Sequence, residues 1–112
     1  MIFEPDSTQD WRDWLAANHA NETEIWLVVQ HKGSTAGGPR YDEAVEQALC
    51  FGWIDSNTRR HNGHGFCQRF SPRRPGSNWS EVNKERATRM IEQGLMTEHG
   101  LKALHAIDRP AS

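Results

Sequence analysis

The sequence lacks a long hydrophobic run, and its longest apolar stretch is the five residues Ile25–Val29. Because a helix needs about 20 apolar residues to cross a bilayer, we predict no membrane span. Residues Met1–Asp6 contain neither the basic region nor the apolar core of a signal peptide, so we expect a cytoplasmic protein. A chain of 112 residues is long enough for one hydrophobic core, and we predict a single domain over residues 1–112.

Cysteine is also scarce, and the two present, Cys50 and Cys67, are expected to be free thiols. Their spacing is not that of a metal site. Cys50 is expected on the polar side of its predicted helix, within reach of oxidants. His61 and His64 form a His-x-x-His pair without an evident third ligand, so we predict no metal ion and no cofactor.

No acidic residue occurs from Ser56 to Ser80, although the chain contains 15 of them. Five of the 13 basic residues lie in this segment, all arginines, which leaves eight basic and 15 acidic residues elsewhere. Guanidinium groups bind carboxylates and phosphates through paired hydrogen bonds. Pro72 and Pro75 stiffen the segment, and a predicted helix N-terminus, which favours anions, follows it. The segment predicts an anion site; the alternative is a basic loop neutralised by the protein's own acids.

In the predicted site, Arg69, Arg73 and Arg86 bind the anion and Asn83 orients it. Trp53 or Trp79, the two tryptophans expected beside the arginines, provides a stacking wall. The full set of predicted ligand-binding residues is Trp53, Asp55, Arg59, Arg69, Arg73, Arg74, Ser77, Asn78, Trp79, Asn83 and Arg86. For Arg86, the alternative is a structural ion pair, for example with Asp55.

Strand alternation predicts that Ile54 and Phe70 face the core while Asp55, Arg59 and Arg69 share the opposite face. Asp55 is then expected to orient the arginines. It would be a poor general base, because neighbouring arginines depress the pKa of a carboxyl group.

The hydrophobic pattern predicts an α+β fold, in which about four helices pack on a small antiparallel or mixed sheet of three or four strands. A first helix is predicted at about Thr8–Asn18, with Ser7 as its N-cap and with Trp11, Trp14, Leu15 and Asn18 on one face. Further helices are predicted at about Tyr41–Phe51, from Ser77 or Ser80 to Gln93, and at Glu98–Ile107. Phe3 is predicted to lie in a short extended segment that ends at Pro5. Strands are predicted at Ile25–Val29, Trp53–Arg60 and Phe66–Ser71, with a hairpin turn at Asn62-Gly63. The residues expected to face inward include Trp11, Trp14 and Trp26, and Trp79, Val82, Ala87, Met90 and Ile91 of the third helix.

Several long segments of the chain resemble the YdeI/OmpD-associated family of bacterial proteins. These segments are Trp14–His19, Glu24–Leu27, Tyr41–Asp55, Gln68–Pro75, Ser77–Arg86 and Gly94–Leu101. The resemblance implies a role in protection against bacteriocins and cationic antimicrobial peptides through association with outer-membrane porins. It implies no catalytic residues. Family members usually continue into a helical segment rich in Arg and Lys, so the resemblance implies a short form that lacks this segment.

These observations favour a cytoplasmic protein that binds a small anionic ligand. The chain contains no nucleophile elbow, no P-loop and no dinucleotide-binding fingerprint, which disfavours an enzyme. Three alternatives stay open. In the first, the Arg59–Arg74 segment binds nucleic acid. In the second, the protein is a small enzyme that acts on an anionic substrate. In the third, the domain binds a protein partner.

Overall fold

The computed structural model describes residues 2–61, 65–74 and 79–108. It confirms the predicted α+β class, with a four-stranded mixed sheet and four helices. The elements are β1 (Ile2–Phe3), α1 (Thr8–Asn18), β2 (Ile25–Gln30), α2 (Tyr41–Cys50), β3 (Trp53–Arg60), β4 (Gly65–Pro72), α3 (Glu81–Glu92) and α4 (Glu98–Asp108). The predicted hairpin turn at Asn62-Gly63 lies outside the described residues.

The strand order is β1-β2-β4-β3, with β1 parallel to β2 and the other pairs antiparallel. The strand β2 therefore lies in the interior of the sheet, between β1 and β4. Its continuous apolar run Ile25–Val29 predicts this position. Ile25, Leu27 and Val29 of β2 and Phe70 of β4 pack into one core with residues of the helices. We call the opposite side of the sheet the outer face; it carries Trp26, Arg59 and Arg69.

Local signals explain where α1 begins and how it docks. Ser7 is the N-cap, and its hydroxyl accepts a hydrogen bond of 3.1 Å from the backbone N–H of Asp10. Trp11 and Leu15 are fully buried, one turn apart on the same side of the helix. The indole of Trp11 donates to the carbonyl of Ala44 at 3.0 Å, which ties α1 to α2.

A β-bulge in β3 overturns the predicted alternation. The register shifts between Asp55 and Thr58, so that Asp55 lies opposite Phe70. Because cross-strand partners project to the same face, Asp55 lies on the core side with Phe70, away from Arg69. The prediction that Asp55 and Arg69 share a face was wrong.

The same irregularity places Ile54 opposite Ser71, half-buried at the end of the sheet. The amide of Gln68 donates to the carbonyls of Ser56 and Asn57 at 3.0 and 3.1 Å, which satisfies two backbone groups of the bulged stretch. Gln68 thus stabilises the irregular register that places Asp55 and Arg69 on opposite faces of the sheet.

Two tryptophans exchange their predicted places. Trp53 was expected beside the arginines, but it is only 1% exposed and belongs to the core. Its indole donates to the carbonyl of His19 at 3.3 Å, and its ring meets Trp14 edge-on. Trp26 was expected in the core, but it lies on the outer face, partly exposed, beneath Arg59. Alternation along β2 places Trp26 opposite its buried neighbours Ile25 and Leu27.

The inward arc of α3 is narrower than predicted. Ser80 caps the helix by accepting a hydrogen bond from the backbone N–H of Asn83, and Ala87 and Met90 are buried. Val82 and Ile91, by contrast, are 53% and 46% exposed. The helix packs mainly against α2, and a single neighbouring helix covers only one narrow strip.

Cys50 is fully buried, so the prediction that it is open to oxidants was wrong. The segment that begins α4 covers the C-terminal end of α2, where the backbone N–H of Thr97 donates to the carbonyl of Cys50 at 3.2 Å. Gly100 packs directly against the same end of α2. Packing against this distant segment of the chain therefore buries Cys50, although Cys50 was expected on the polar side of α2.

Candidate functional site

Three of the predicted arginines meet at one surface depression of about 490 Å³. Its lining residues are Thr23, Ile54, Arg69, Ser71, Pro72, Arg73 and Arg74. We call it the arginine depression. It combines guanidinium groups and hydroxyls with a smaller apolar portion formed by Ile54 and Pro72.

The end of β4 and the residues that follow it supply the three arginines. Arg69 and Ser71 are two residues apart in β4 and so project from the same face of the strand. The strand ends at Pro72, and the backbone N–H of Arg73 donates to the carbonyl of Gly52 at 2.9 Å. This bond fixes the chain as it leaves the sheet and brings Arg73 and Arg74 to the depression.

Arg69 is partly neutralised by Glu24, which precedes β2. The Nε of Arg69 lies 2.7 Å from Oε1 of Glu24, and a second guanidinium nitrogen donates to the hydroxyl of Ser56 at 3.2 Å. The hydrogen bond and the charge of Arg69 lower the pKa of Glu24, so Glu24 stays ionised at neutral pH. Both side chains are partly exposed, and the pair is therefore open to competition from solvent anions.

Arg73 stacks on the predicted site residue Trp79. The guanidinium carbon lies 4.1 Å from the centre of the indole ring, and Trp79 itself is buried. Burial lowers the pKa of Arg73, while the negative charge of Asp55 acts in the opposite direction. Arg73 covers the face of Trp79 that was predicted to stack on a ligand.

Arg74 is exposed at the depression, and within the described part of the chain its side chain forms no ion pair or hydrogen bond. Glu24 pairs with Arg69, and the three arginines concentrate positive charge at the depression. Such a surface attracts anions and holds them by charge-assisted hydrogen bonds.

Arg86 and Asn83 do not line the depression. A guanidinium nitrogen of Arg86 donates to Asp42 at 2.6 Å, and another donates to the side-chain oxygen of Asn83 at 2.9 Å. The side chain of Arg86 is only 11% exposed. The structural ion pair weighed as the alternative is therefore present, with Asp42 as the partner in place of Asp55.

The remaining predicted residues are distributed over the molecule. Asp55 accepts a hydrogen bond from Tyr41 on the core side, and Arg59 lies over Trp26 on the outer face. Ser77 and Asn78 lie outside the described residues. Sequence reasoning missed Thr23 and Glu24 as neighbours of the arginines, because only the pairing of β2 with β4 brings them together. It also missed Ser71, although strand alternation places Ser71 on the same face as Arg69.

One further cluster has the order of a nucleophile, a base and an acid. The Sγ of Cys67 lies 3.7 Å from Nδ1 of His61, whose Nε2 lies 3.9 Å from a carboxylate oxygen of Glu4. The thiol is buried, however, and burial raises its pKa. A catalytic cysteine needs the opposite conditions, an accessible sulfur with a lowered pKa, so both properties of Cys67 disfavour a thiol-enzyme centre at this cluster.

Within residues 2–61, 65–74 and 79–108, no three His, Cys, Asp or Glu side chains are grouped to hold a metal ion. His64 of the His-x-x-His pair lies outside these ranges. None of the helices in the described ranges is long and apolar enough to cross a membrane.

A family model described as a domain of unknown function (DUF8412) matches residues 3–103. The chain belongs to the DUF8412 family. The match includes every element from α1 to α3 in full and parts of β1 and α4, so the arginine depression lies within the DUF8412 domain. No curated protein and no solved structure gives a significant match to the chain.

Proposed function

We propose that this DUF8412 domain binds a small anionic ligand in the arginine depression. The observation that carries the proposal is the meeting of Arg69, Arg73 and Arg74 at one depression with the hydroxyl residues Ser71 and Thr23. Guanidinium groups form paired hydrogen bonds to carboxylates and phosphates, and hydroxyls add further donors.

The dimensions of the depression suit a small molecule. Its volume of about 490 Å³ lies within the range of roughly 300–1,000 Å³ that is typical of small-ligand sites. Ile54 and Pro72 offer an apolar patch beside the charged groups. A phosphorylated or carboxylated organic molecule would complement both parts of the depression. Its anionic group would contact the arginines, and its apolar part would pack against Ile54.

The biological setting that we propose follows from the sequence resemblance. A cytoplasmic protein of the YdeI/OmpD-associated type would bind its anion, and through it or through a protein partner act in bacteriocin or antimicrobial-peptide resistance. The support is the length of the matching segments, among them Tyr41–Asp55 and Gln68–Pro75, the second of which supplies five of the depression's residues.

Thermal unfolding in the presence of inorganic phosphate and of nucleoside phosphates tests the site. A ligand present at about 100 times its Kd stabilises a folded protein by about 2.7 kcal/mol, so a specific anion should raise the Tm by several degrees. Chloride at the same ionic strength controls for general salt effects.

Arg74→Ala is the most informative variant, because the Arg74 side chain is exposed and its loss should leave the fold intact. It should remove most of the anion-dependent rise in Tm. Arg89→Ala is the matched control, since Arg89 is an exposed arginine that pairs with Glu46, away from the depression. Equal anion-dependent shifts in the two variants would exclude the depression as the site.

A further inference from the structure

A row of cationic and aromatic side chains crosses the outer face of the sheet. Trp26 of β2 lies directly opposite Arg69 of β4. Arg59 of β3 lies opposite Cys67 and extends across β4, so that its guanidinium carbon is 4.1 Å from the centre of the Trp26 ring. Arg69 and Arg74 both line the arginine depression.

The stacking of Arg59 on Trp26 leaves a flat cation at the surface. Trp26 is partly exposed and Arg59 is exposed, so the stacked pair is accessible from solvent. A guanidinium plane held on an indole is restrained, and little entropy is lost when a second planar group stacks on it. Nucleobases are planar groups of this kind, and arginine contributes cation–π energy to their binding.

The distribution of acidic residues favours an anionic polymer on this face. Ten of the chain's 15 acidic residues lie in the helices, two in α1, three in α2, three in α3 and two in α4. The core side of the sheet, where the helices pack, therefore holds most of the negative charge. On the outer face, Glu24 pairs with Arg69, while Arg59 and Arg74 have no carboxylate partner among the described residues.

From these observations we infer that the outer face binds single-stranded nucleic acid. The backbone phosphates contact Arg59, Arg69 and Arg74, and a base stacks on the Arg59–Trp26 pair. A single strand is favoured over a duplex because the bases of a duplex stack on one another and present no free face to an arginine. From Cys67 to Arg73 the chain spans roughly 20 Å at about 3.3 Å per residue, which suits a site of a few nucleotides.

Fluorescence anisotropy with a labelled oligothymidylate or oligouridylate of about 12 nucleotides tests the inference, with a duplex of the same length as the competitor. Each phosphate contacted on a single strand contributes a log–log salt slope of about −0.7. The three arginines therefore predict a slope of about −2. The stacking plane on Arg59 predicts tighter binding of the single strand than of the duplex.

Arg59→Ala should weaken binding of the single strand about tenfold, because it removes both a charge and the stacking plane. Arg59→Lys should lose most of the same affinity, since lysine keeps the charge but has no planar face. Arg89→Ala removes an exposed arginine from α3 and should bind as the parent does. Far-UV circular dichroism of each variant verifies the fold.

Three results would overturn the inference: no binding at the lowest salt, tighter binding of the duplex, or parental affinity in Arg59→Ala. The Arg59 variants separate this inference from the proposed small-anion site, because Arg69 and Arg74 belong to both sites whereas Arg59 does not line the arginine depression. Arg59→Ala should keep the phosphate-dependent rise in Tm, and a domain that binds oligonucleotides without that rise would contradict only the small-anion proposal.

Discussion

The hydroxyl of Tyr41 lies 2.6 Å from Oδ2 of Asp55 and donates a hydrogen bond that joins the start of α2 to β3. Arg86 of α3 reaches the same place, with its guanidinium carbon 5.7 Å from the centre of the Tyr41 ring and a hydrogen bond to Asp42. In this network, Asp55 is hydrogen-bonded to the phenol of Tyr41, and Asp42 is hydrogen-bonded to the guanidinium group of Arg86.

We expect Tyr41 to ionise at unusually high pH. Burial and the hydrogen bond to Asp55 raise the pKa of Tyr41 to about 12, from an ordinary value of about 10. The folded protein holds this proton more tightly than the unfolded chain does. The resulting stabilisation is therefore complete below about pH 10 and is lost as the pH rises through about 12.

Because Tyr41 is the only tyrosine, the ultraviolet absorbance of tyrosinate reports this group alone. Asp55→Asn should move the midpoint toward 10, and Asp13→Asn in α1 should not. Circular dichroism on the same samples verifies that the protein is folded at each pH. A parental midpoint near 10 would show that the Tyr41–Asp55 bond does not form in solution.

Arg86→Met should destabilise the fold by about 1–3 kcal/mol, because it removes hydrogen bonds to Asp42 and Asn83 from a mostly buried position. Arg89→Met, three residues away on the same helix, removes a side chain that is 48% exposed and should cost at most about 0.5 kcal/mol. Urea denaturation of both variants measures the difference. Equal free energies of unfolding would count against a structural role for Arg86.

Gly100→Ala should be destabilising although it lies within a helix, where alanine is ordinarily favoured over glycine by about 1 kcal/mol. A Cβ at Gly100 would lie 2.5 Å from the carbonyl oxygen of Leu49 and 2.7 Å from that of Cys50. Helix α4 would have to move away from α2, and we expect a net loss of about 1–3 kcal/mol.

A second measurement on Gly100→Ala follows the thiol of Cys50, which α4 helps to cover. This thiol should react with a disulfide reagent faster in the variant than in the parent. Gly33→Ala is the control, because a Cβ there would have no atom within 4 Å. Unchanged stability and unchanged thiol reactivity in Gly100→Ala would show that α4 does not pack on α2 in this way.

Glu24→Gln should strengthen phosphate binding at the arginine depression by roughly threefold to tenfold. It removes a carboxylate that lies 2.7 Å from Arg69 and raises the net charge of the site by one. Glu22→Gln, at a neighbouring exposed acid, is the control. Calorimetric titration with phosphate compares the two. A weaker affinity in Glu24→Gln than in Glu22→Gln would mean that Glu24 orients Arg69 and does not compete with the ligand.

Local signals were sufficient to predict most of the secondary structure. The cap at Ser7 and the apolar spacing of Trp11 and Leu15 predicted the observed α1, and the run Ile25–Val29 predicted an interior strand. These features depend on interactions within a few residues, which the order of side chains along the chain expresses directly.

The candidate site was only partly predictable. The acid-free, arginine-only composition singled out Arg69, Arg73 and Arg74, and all three line the depression. Helical spacing alone placed Asn83 and Arg86 in the same predicted site. Arg86 instead pairs with Asp42 of α2 and does not line the depression. No pattern in α3 reveals which acid of a different helix will lie beside it.

By itself, the sequence determined the class of fold, the helices and strands, and the segment in which positive charge is concentrated, because propensity, capping and composition act between near neighbours. Only the tertiary structure decided that Glu24 pairs with Arg69, that Trp26 and Trp53 exchange their expected environments, and that Asp55 faces the core. These outcomes depend on strand register and on a bulge in β3, since a shift of one residue reverses the face to which each side chain points.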